Sequence, residues 1–185
     1  MNIVEVLTLI ISLLALLVTY LVFKSNETPR IVIYATPHYG KETFIRLHVK
    51  NIGKGIAEKV VIKSSQPVPR RAFGITKLNQ HLEFFESGIF KHGIELIFPN
   101  QEYVYDWGQY GGLVEALNDK PITFEVSYKY RYPLSLWKSP VSDRSVINIR
   151  ELEALPSTTG SLIEQIGKIH RELEQLNKQL PKVSK

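Results

Sequence analysis

From Ile3 to Phe23 the chain reads IVEVLTLIISLLALLVTYLVF, 21 residues in which Glu5 is the only charge. An α-helix rises ~1.5 Å per residue, so this run would be roughly 31 Å long, close to the ~30 Å hydrocarbon core of a bilayer. In lipid a backbone must satisfy its own hydrogen bonds, which a helix does within one segment. A buried helix of a soluble protein needs an apolar stripe, not an apolar circumference. The run therefore predicts a membrane-spanning helix over residues 3–23. A cleaved secretory signal would want a basic leader, a shorter run and a small-residue cleavage site. Only Met1 and Asn2 precede this run, and Tyr20-Leu-Val-Phe-Lys24 offers no such site. The expectation is an uncleaved, single-pass anchor in the cell membrane.

Lys24, Arg30 and Lys41 come after the span and no basic side chain precedes it. By the positive-inside rule the large C-terminal part is then cytoplasmic. Within the span, Glu5, Thr8, Ser12, Ala15 and Thr19 fall at steps of three and four and share one stripe. Such a stripe permits close helix packing in lipid. It equally suits hydroxyls bonded to their own backbone, with Glu5 reaching the headgroups. Both readings stay open.

Past a short linker at 24–30, continuous apolarity gives way to alternation. Ile31–Tyr34, Thr43–Lys50, Val60–Ile62, Ile94–Phe98 and Tyr103–Tyr105 read as strands. The longest alternation puts Ile122, Phe124, Val126, Tyr128, Tyr130 and Tyr132 on one face, with Thr123, Glu125, Ser127, Lys129 and Arg131 on the other. That is an antiparallel strand with one packed and one wet side. A hairpin through Leu134, Leu136 and Trp137 leads to a last strand at Val146–Ile149. Asn51-Ile-Gly-Lys-Gly55 is a turn signal, because Asn and Gly tolerate positive φ. Short strands without long helices between them favour a β-sandwich over residues 31–150.

The segment Leu47-His-Val-Lys-Asn-Ile-Gly-Lys-Gly-Ile-Ala57, with Val60-Val-Ile62 after it, resembles the V-x-N-x-G-x-G-x-A-x-x-V hairpin of immunoglobulin-like, CARDB-like prokaryotic domains. Phe98-Pro-Asn-Gln101 is similar to their L-x-P-G-Q turn, with Asn100 in place of the glycine, and Glu125–Tyr128 resembles a late strand. The resemblance implies an Ig-like antiparallel sandwich and no particular activity.

After a second linker at 151–160, Ser161-Leu-Ile-Glu164 is a capping-box pattern. Leu162, Ile166, Ile169, Leu173, Leu176 and Leu180 then step by four and three up to Pro181, predicting an amphipathic or coiled-coil helix over 161–180. Its seam would cover a partner helix or fold back on the sandwich.

Chemistry is sparsely signalled. The absence of cysteine excludes a disulfide scaffold, a thiolate zinc site and a cysteine nucleophile. There is no phosphate-binding P-loop and no G-x-S-x-G elbow. His38, His48, His81, His92 and His170 form no H-x-H or H-x-x-x-H pair, so no metal or other cofactor is expected. Residues 31–150 carry 16 Lys/Arg against 11 Asp/Glu, the whole of the net charge of +5. Within them, Pro67-Val-Pro-Arg-Arg71 is a rigid basic loop whose Arg70 and Arg71 could meet anionic lipid or an acidic partner, the alternative being a solvated connection. Gly108-Gln-Tyr-Gly-Gly112 reads as a flexible aromatic loop. Strand alternation separates the tyrosines from Lys129 and Arg131, which argues against a nucleic-acid surface.

The expectation is a non-enzymatic membrane protein that displays an Ig-like sandwich and assembles with itself or another membrane-associated protein. An extracytoplasmic binding module, or an accessory subunit of a membrane complex, is the alternative.

Overall fold

The computed structural model describes residues 2–38, 41–79, 81–133, 135–153 and 169–173. Helix α1 spans Ile3–Asn26, three residues beyond the apolar run, and no residue of it is fully buried. It is long and apolar enough to cross a membrane. At its start the Glu5 carboxylate accepts a hydrogen bond from the Asn2 backbone N–H at 2.9 Å, closing the first turn on itself.

The remainder is mainly antiparallel β. Strands β1 (Ile31–His38), β2 (Lys41–Asn51) and β7 (Glu102–Gln109) form one sheet in the order β1-β2-β7. Strands β3 (Ala57–Ser64), β6 (Ile94–Ile97), β8 (Ile122–Arg131) and β9 (Lys138–Ile147) form a second, ordered β6-β3-β8-β9. Two short strands, β4 (Pro69–Arg70) and β5 (Glu83–Phe84), pair with each other. Helices α2 (Ile89–His92) and α3 (Tyr110–Ala116) and a 3-10 turn at Ile149–Leu152 complete the described domain.

Alternation decides the core. Ile31 and Ile33 from β1, Ile45, Leu47 and Val49 from β2, and Trp107 from β7 are buried in one cluster. Ala57, Val60 and Ile62 from β3 join it, as do Ile122, Phe124, Val126, Tyr128 and Tyr130 from β8. The parity of β3 changes between Ala57 and Val60, where the ladder to β8 shifts register and Lys59 takes φ 51°. This bulge turns Val60 and Ile62 inward while Val61 faces solvent. In β7, Trp107 is the extra residue between Asp106, paired with Arg46, and Gly108, paired with Ile45.

The edges of the two sheets are joined by side chains. Ile31 N–H donates to Asp143 Oδ2 at 2.7 Å, and Ile33 N–H donates to Ser145 Oγ at 3.0 Å. Thus the open edge of β1 spends its free donors on β9, which removes a template for edge-to-edge pairing.

Three sequence readings change. The last strand is not Val146–Ile149: β9 runs Lys138–Ile147, and Ile149 opens the 3-10 turn. Gly108–Gly112 is not a flexible loop: β7 runs to Gln109, and Gly111, Gly112 and Leu113 are buried in α3. A Cβ on Gly111 would lie 2.2 Å from Ile75 O, and one on Gly112 2.4 Å from Ala72 O. These glycines let the 72–76 backbone pass close by. At Asn51–Gly55 the turn is present, but neither Gly53 nor Gly55 has a positive φ. Their purpose lies in what packs against them.

Candidate functional site

Helix α1 passes into β1 through residues 27–30, and this strap is seated on the domain rather than strung across a gap. A Cβ on Gly53 would stand 2.3 Å from Thr28 O and 2.4 Å from Arg30 N. On Gly55 it would stand 2.3 Å from Glu27 O and 2.7 Å from Pro29 Cδ. Both positions need glycine because the strap backbone fills the space of a side chain. Asn51, fully buried, ties the layers together. Its Oδ1 accepts from Arg30 N–H at 3.1 Å and Gly53 N–H at 3.0 Å, while its Nδ2 donates to Gly55 O at 2.8 Å and Ile97 O at 3.3 Å. Both halves of the amide are in use, as a buried amide requires.

The tyrosine face of β8 closes the strap from the other side. Tyr130 OH donates to Glu27 O at 2.6 Å; Tyr128 OH donates to Pro29 O at 3.0 Å and lies 2.9 Å from Asp143 Oδ2. Burial first, and then the Asp143 carboxylate, push the Tyr128 phenol above its ordinary range, so it stays a donor. Higher up, Lys24 Nζ sits 4.4 Å from the centroid of the Tyr132 ring, and Tyr20 OH donates to Pro133 O at 3.3 Å. The sequence marks these tyrosines as a packed face, which holds for Tyr128 and Tyr130. Their second duty was legible only as a hint: a face of tyrosines, rather than phenylalanines, needs hydroxyl acceptors.

A second cluster lies on the outward face of the β1-β2-β7 sheet. Tyr34 and His48 stack with ring centroids 4.7 Å apart and planes 9° from parallel. Tyr34 OH donates to Glu102 Oε1 at 2.7 Å, and His48 Nδ1 lies 3.0 Å from the same oxygen. An ionised carboxylate only accepts, so Nδ1 carries a proton, and His48 Nε2 meets Thr36 Oγ1 at 2.8 Å. The Tyr34 hydrogen bond outweighs partial burial and holds the Glu102 carboxyl below the usual range. Burial, then Glu102, push Tyr34 up to about 12. This hydroxyl–imidazole–carboxylate chain can orient a proton, and it stiffens a flat polar surface. Arg46 extends it, contacting His38 and, at 3.3 Å, Asp106. Sequence inspection for His pairs on one strand missed it, because its members come from three strands.

Arg70 and Arg71 are exposed on the rim of a groove of about 560 Å³ that Phe73, Phe85, Tyr105 and Asp106 also line. The segment carrying them is not all loop, since Arg70 lies in β4, and it is pinned to β7: Ala72 N–H donates to Trp107 O at 3.0 Å, and Gln109 N–H donates to Ala72 O at 2.9 Å. In α1 the stripe hydroxyls turn inward on the helix itself. Thr8 donates to Val4 O, Ser12 to Thr8 O and Thr19 to Ala15 O, each at 2.8 Å. Glu5 is occupied at the cap and Ala15 offers only its small size. Of the C-terminal seam, Ile169 and Leu173 lie in a helical stretch and are exposed. Leu162, Ile166, Leu176 and Leu180 fall outside the described residues. Among the described residues no group of three or more His, Asp or Glu could hold a metal ion.

No curated protein and no solved structure matches the chain. A family model described as a domain of unknown function, DUF8453, matches residues 3–153. The match takes in α1, the strap and every described strand, and the chain belongs to that family.

Proposed function

We propose that this chain is a non-enzymatic, single-pass membrane protein that displays an Ig-like β-sandwich on the cytoplasmic face of the cell membrane for protein–protein interaction or assembly. The seated strap carries the reading. A domain hung on a free tether samples every orientation, whereas one clamped through Asn51, Tyr128 and Tyr130 presents one fixed face to partners in the membrane plane. The Ig-like assignment draws support from two antiparallel sheets that share one buried cluster and are sewn together at the β1 and β9 edges. The cytoplasmic assignment draws support from Lys24, Arg30 and Lys41, which follow the span while no basic side chain precedes it.

The partner is a second copy or another membrane-associated protein. The α1 stripe and the seam from Leu162 to Leu180 are the association faces, and Arg70 and Arg71 suit an anionic headgroup or acidic segment. Two measurements test this. The chain has no cysteine, so Glu95→Cys gives one exposed thiol. An impermeant maleimide should label it only in permeabilised cells; labelling of intact cells overturns the cytoplasmic assignment. In mild detergent the full chain should run as a larger assembly than a chain lacking 161–185, and equal subunit numbers would remove the assembly role of that segment.

A further inference from the structure

The turn between β8 and β9 stands beside α1 through Tyr132 and Pro133, and not at the far end of the domain. Pro133 O accepts from Tyr20 OH, and the Tyr132 ring lies under Lys24 Nζ. Tyr20 is three residues short of the end of the apolar run at Phe23, which is about 4.5 Å along a helix axis. When the run spans the bilayer, Pro133 stands at the boundary between acyl chains and headgroups. The zone between hydrocarbon edge and water is roughly 5–7 Å deep on each side.

The side chains at this turn suit that zone. Leu136 is 85% exposed and Trp137 79% exposed, the two most exposed large hydrophobic residues of the described β domain. In water such a pair at the end of a hairpin has no packing to justify it. The turn meanwhile satisfies much of its own backbone: Ser135 N–H donates to Tyr132 O at 3.0 Å, Ser135 Oγ donates to Trp137 O at 2.9 Å, and Trp137 N–H lies 3.2 Å from Ser135 Oγ. Internal hydrogen bonding lowers the cost of bringing backbone near acyl chains. Tryptophan, with an apolar body and an N–H donor, concentrates at this depth.

We infer that Leu136 and Trp137, at the turn between β8 and β9, are a second membrane contact, inserted into the interfacial layer of the same bilayer that α1 crosses. The inference rests on the membrane-spanning reading of α1. Together the two insertions fix the tilt of the domain, since a helix alone leaves it free to rock about one point.

The test uses intrinsic fluorescence. The chain holds two tryptophans, and Trp107 is wholly buried, so the difference between wild type and Trp137→Phe reports Trp137 alone. Full-length protein is reconstituted into phosphatidylcholine vesicles, plain or brominated on the acyl chains close to the headgroup. The Trp137 signal should fall at least twofold in the brominated vesicles and resist aqueous iodide. Equal emission in both vesicle types, with free access to iodide, overturns the inference. Flotation of the vesicles after alkaline carbonate separates the two readings. A chain that floats with Trp137 unquenched loses only the hairpin contact; a chain that fails to float loses the anchor as well.

Discussion

Replacing Gly55 with alanine should unseat the strap without unfolding the domain. The added Cβ would fall 2.3 Å from Glu27 O and 2.8 Å from Pro29 N, and neither backbone atom can rotate away as a side chain could. The cheapest escape is for residues 27–30 to lift together, which breaks the Tyr130–Glu27 and Tyr128–Pro29 hydrogen bonds and draws Arg30 off Asn51 and Ile52. For the strap to lift, the clash must outweigh these two tyrosine bonds, about 1 kcal/mol each, so it raises the seated state by about 2 kcal/mol. A tenfold population change corresponds to ~1.4 kcal/mol, so the lifted state becomes roughly thirtyfold more populated. Trypsin reads this directly. The bond after Arg30 is locked while Arg30 N–H reaches Asn51 Oδ1 and Arg30 O accepts from Ile52 N–H at 2.8 Å. Where opening is fast relative to cleavage, the clipping rate tracks the open population. The fragment beginning at Ile31 should therefore appear about thirtyfold faster from Gly55→Ala than from wild type, and roughly fivefold faster from Tyr130→Phe, which loses one bond. Emission of buried Trp107 should stay native in both. Clipping of Gly55→Ala within twofold of wild type would refute the seated strap, and so would wild-type clipping as fast in buffer as in urea.

Asn51→Ala should destabilise the β domain by about 3 kcal/mol in a urea titration, because it strands the buried Gly55 and Ile97 carbonyls and the Arg30 and Gly53 amides. Asn51→Asp should cost at least as much at neutral pH and recover on acidification, since a carboxylate repels the two carbonyls until it is protonated; a pH-independent loss would contradict the donor assignment. Trp107→Ala should cost about 3–5 kcal/mol, monitored by far-UV dichroism, as a fully buried aromatic leaves a cavity. Glu102, whose folded pKa is depressed, should contribute stability above the ordinary carboxylate range that disappears as pH falls through its folded value. Tyr34, raised to about 12, should contribute stability present below pH ~10 and lost as pH climbs through the folded value. Denaturation midpoints of Glu102→Gln should show a flatter acid limb than wild type.

The sequence carried much of the secondary structure because its signals are local. Alternation from Ile122 to Tyr132 corresponds to β8 at Ile122–Arg131, and the apolar run corresponds to α1. The errors came where a residue answers to something distant. Gly108 to Gly112 look like a hinge until the 72–76 backbone is laid over them. Val60, Val61 and Ile62 are equivalent in sequence, and only the bulge at Lys59 decides that Val61 faces out. The Tyr34–His48–Glu102 network joins residues 14 and 54 positions apart, and no spacing rule finds it.

The membrane-length helix was determined by the sequence alone, since length and apolarity are properties of a contiguous segment and need no fold. So was the mainly β character of residues 31–150, because alternation is equally local. How the helix meets the domain was decided by tertiary structure. The N-x-G-x-G segment, the strap and the tyrosine face lie apart in the chain, and their shapes have meaning only against one another. Neither glycine is there for its φ; each is there because another part of the backbone occupies the place of its missing side chain.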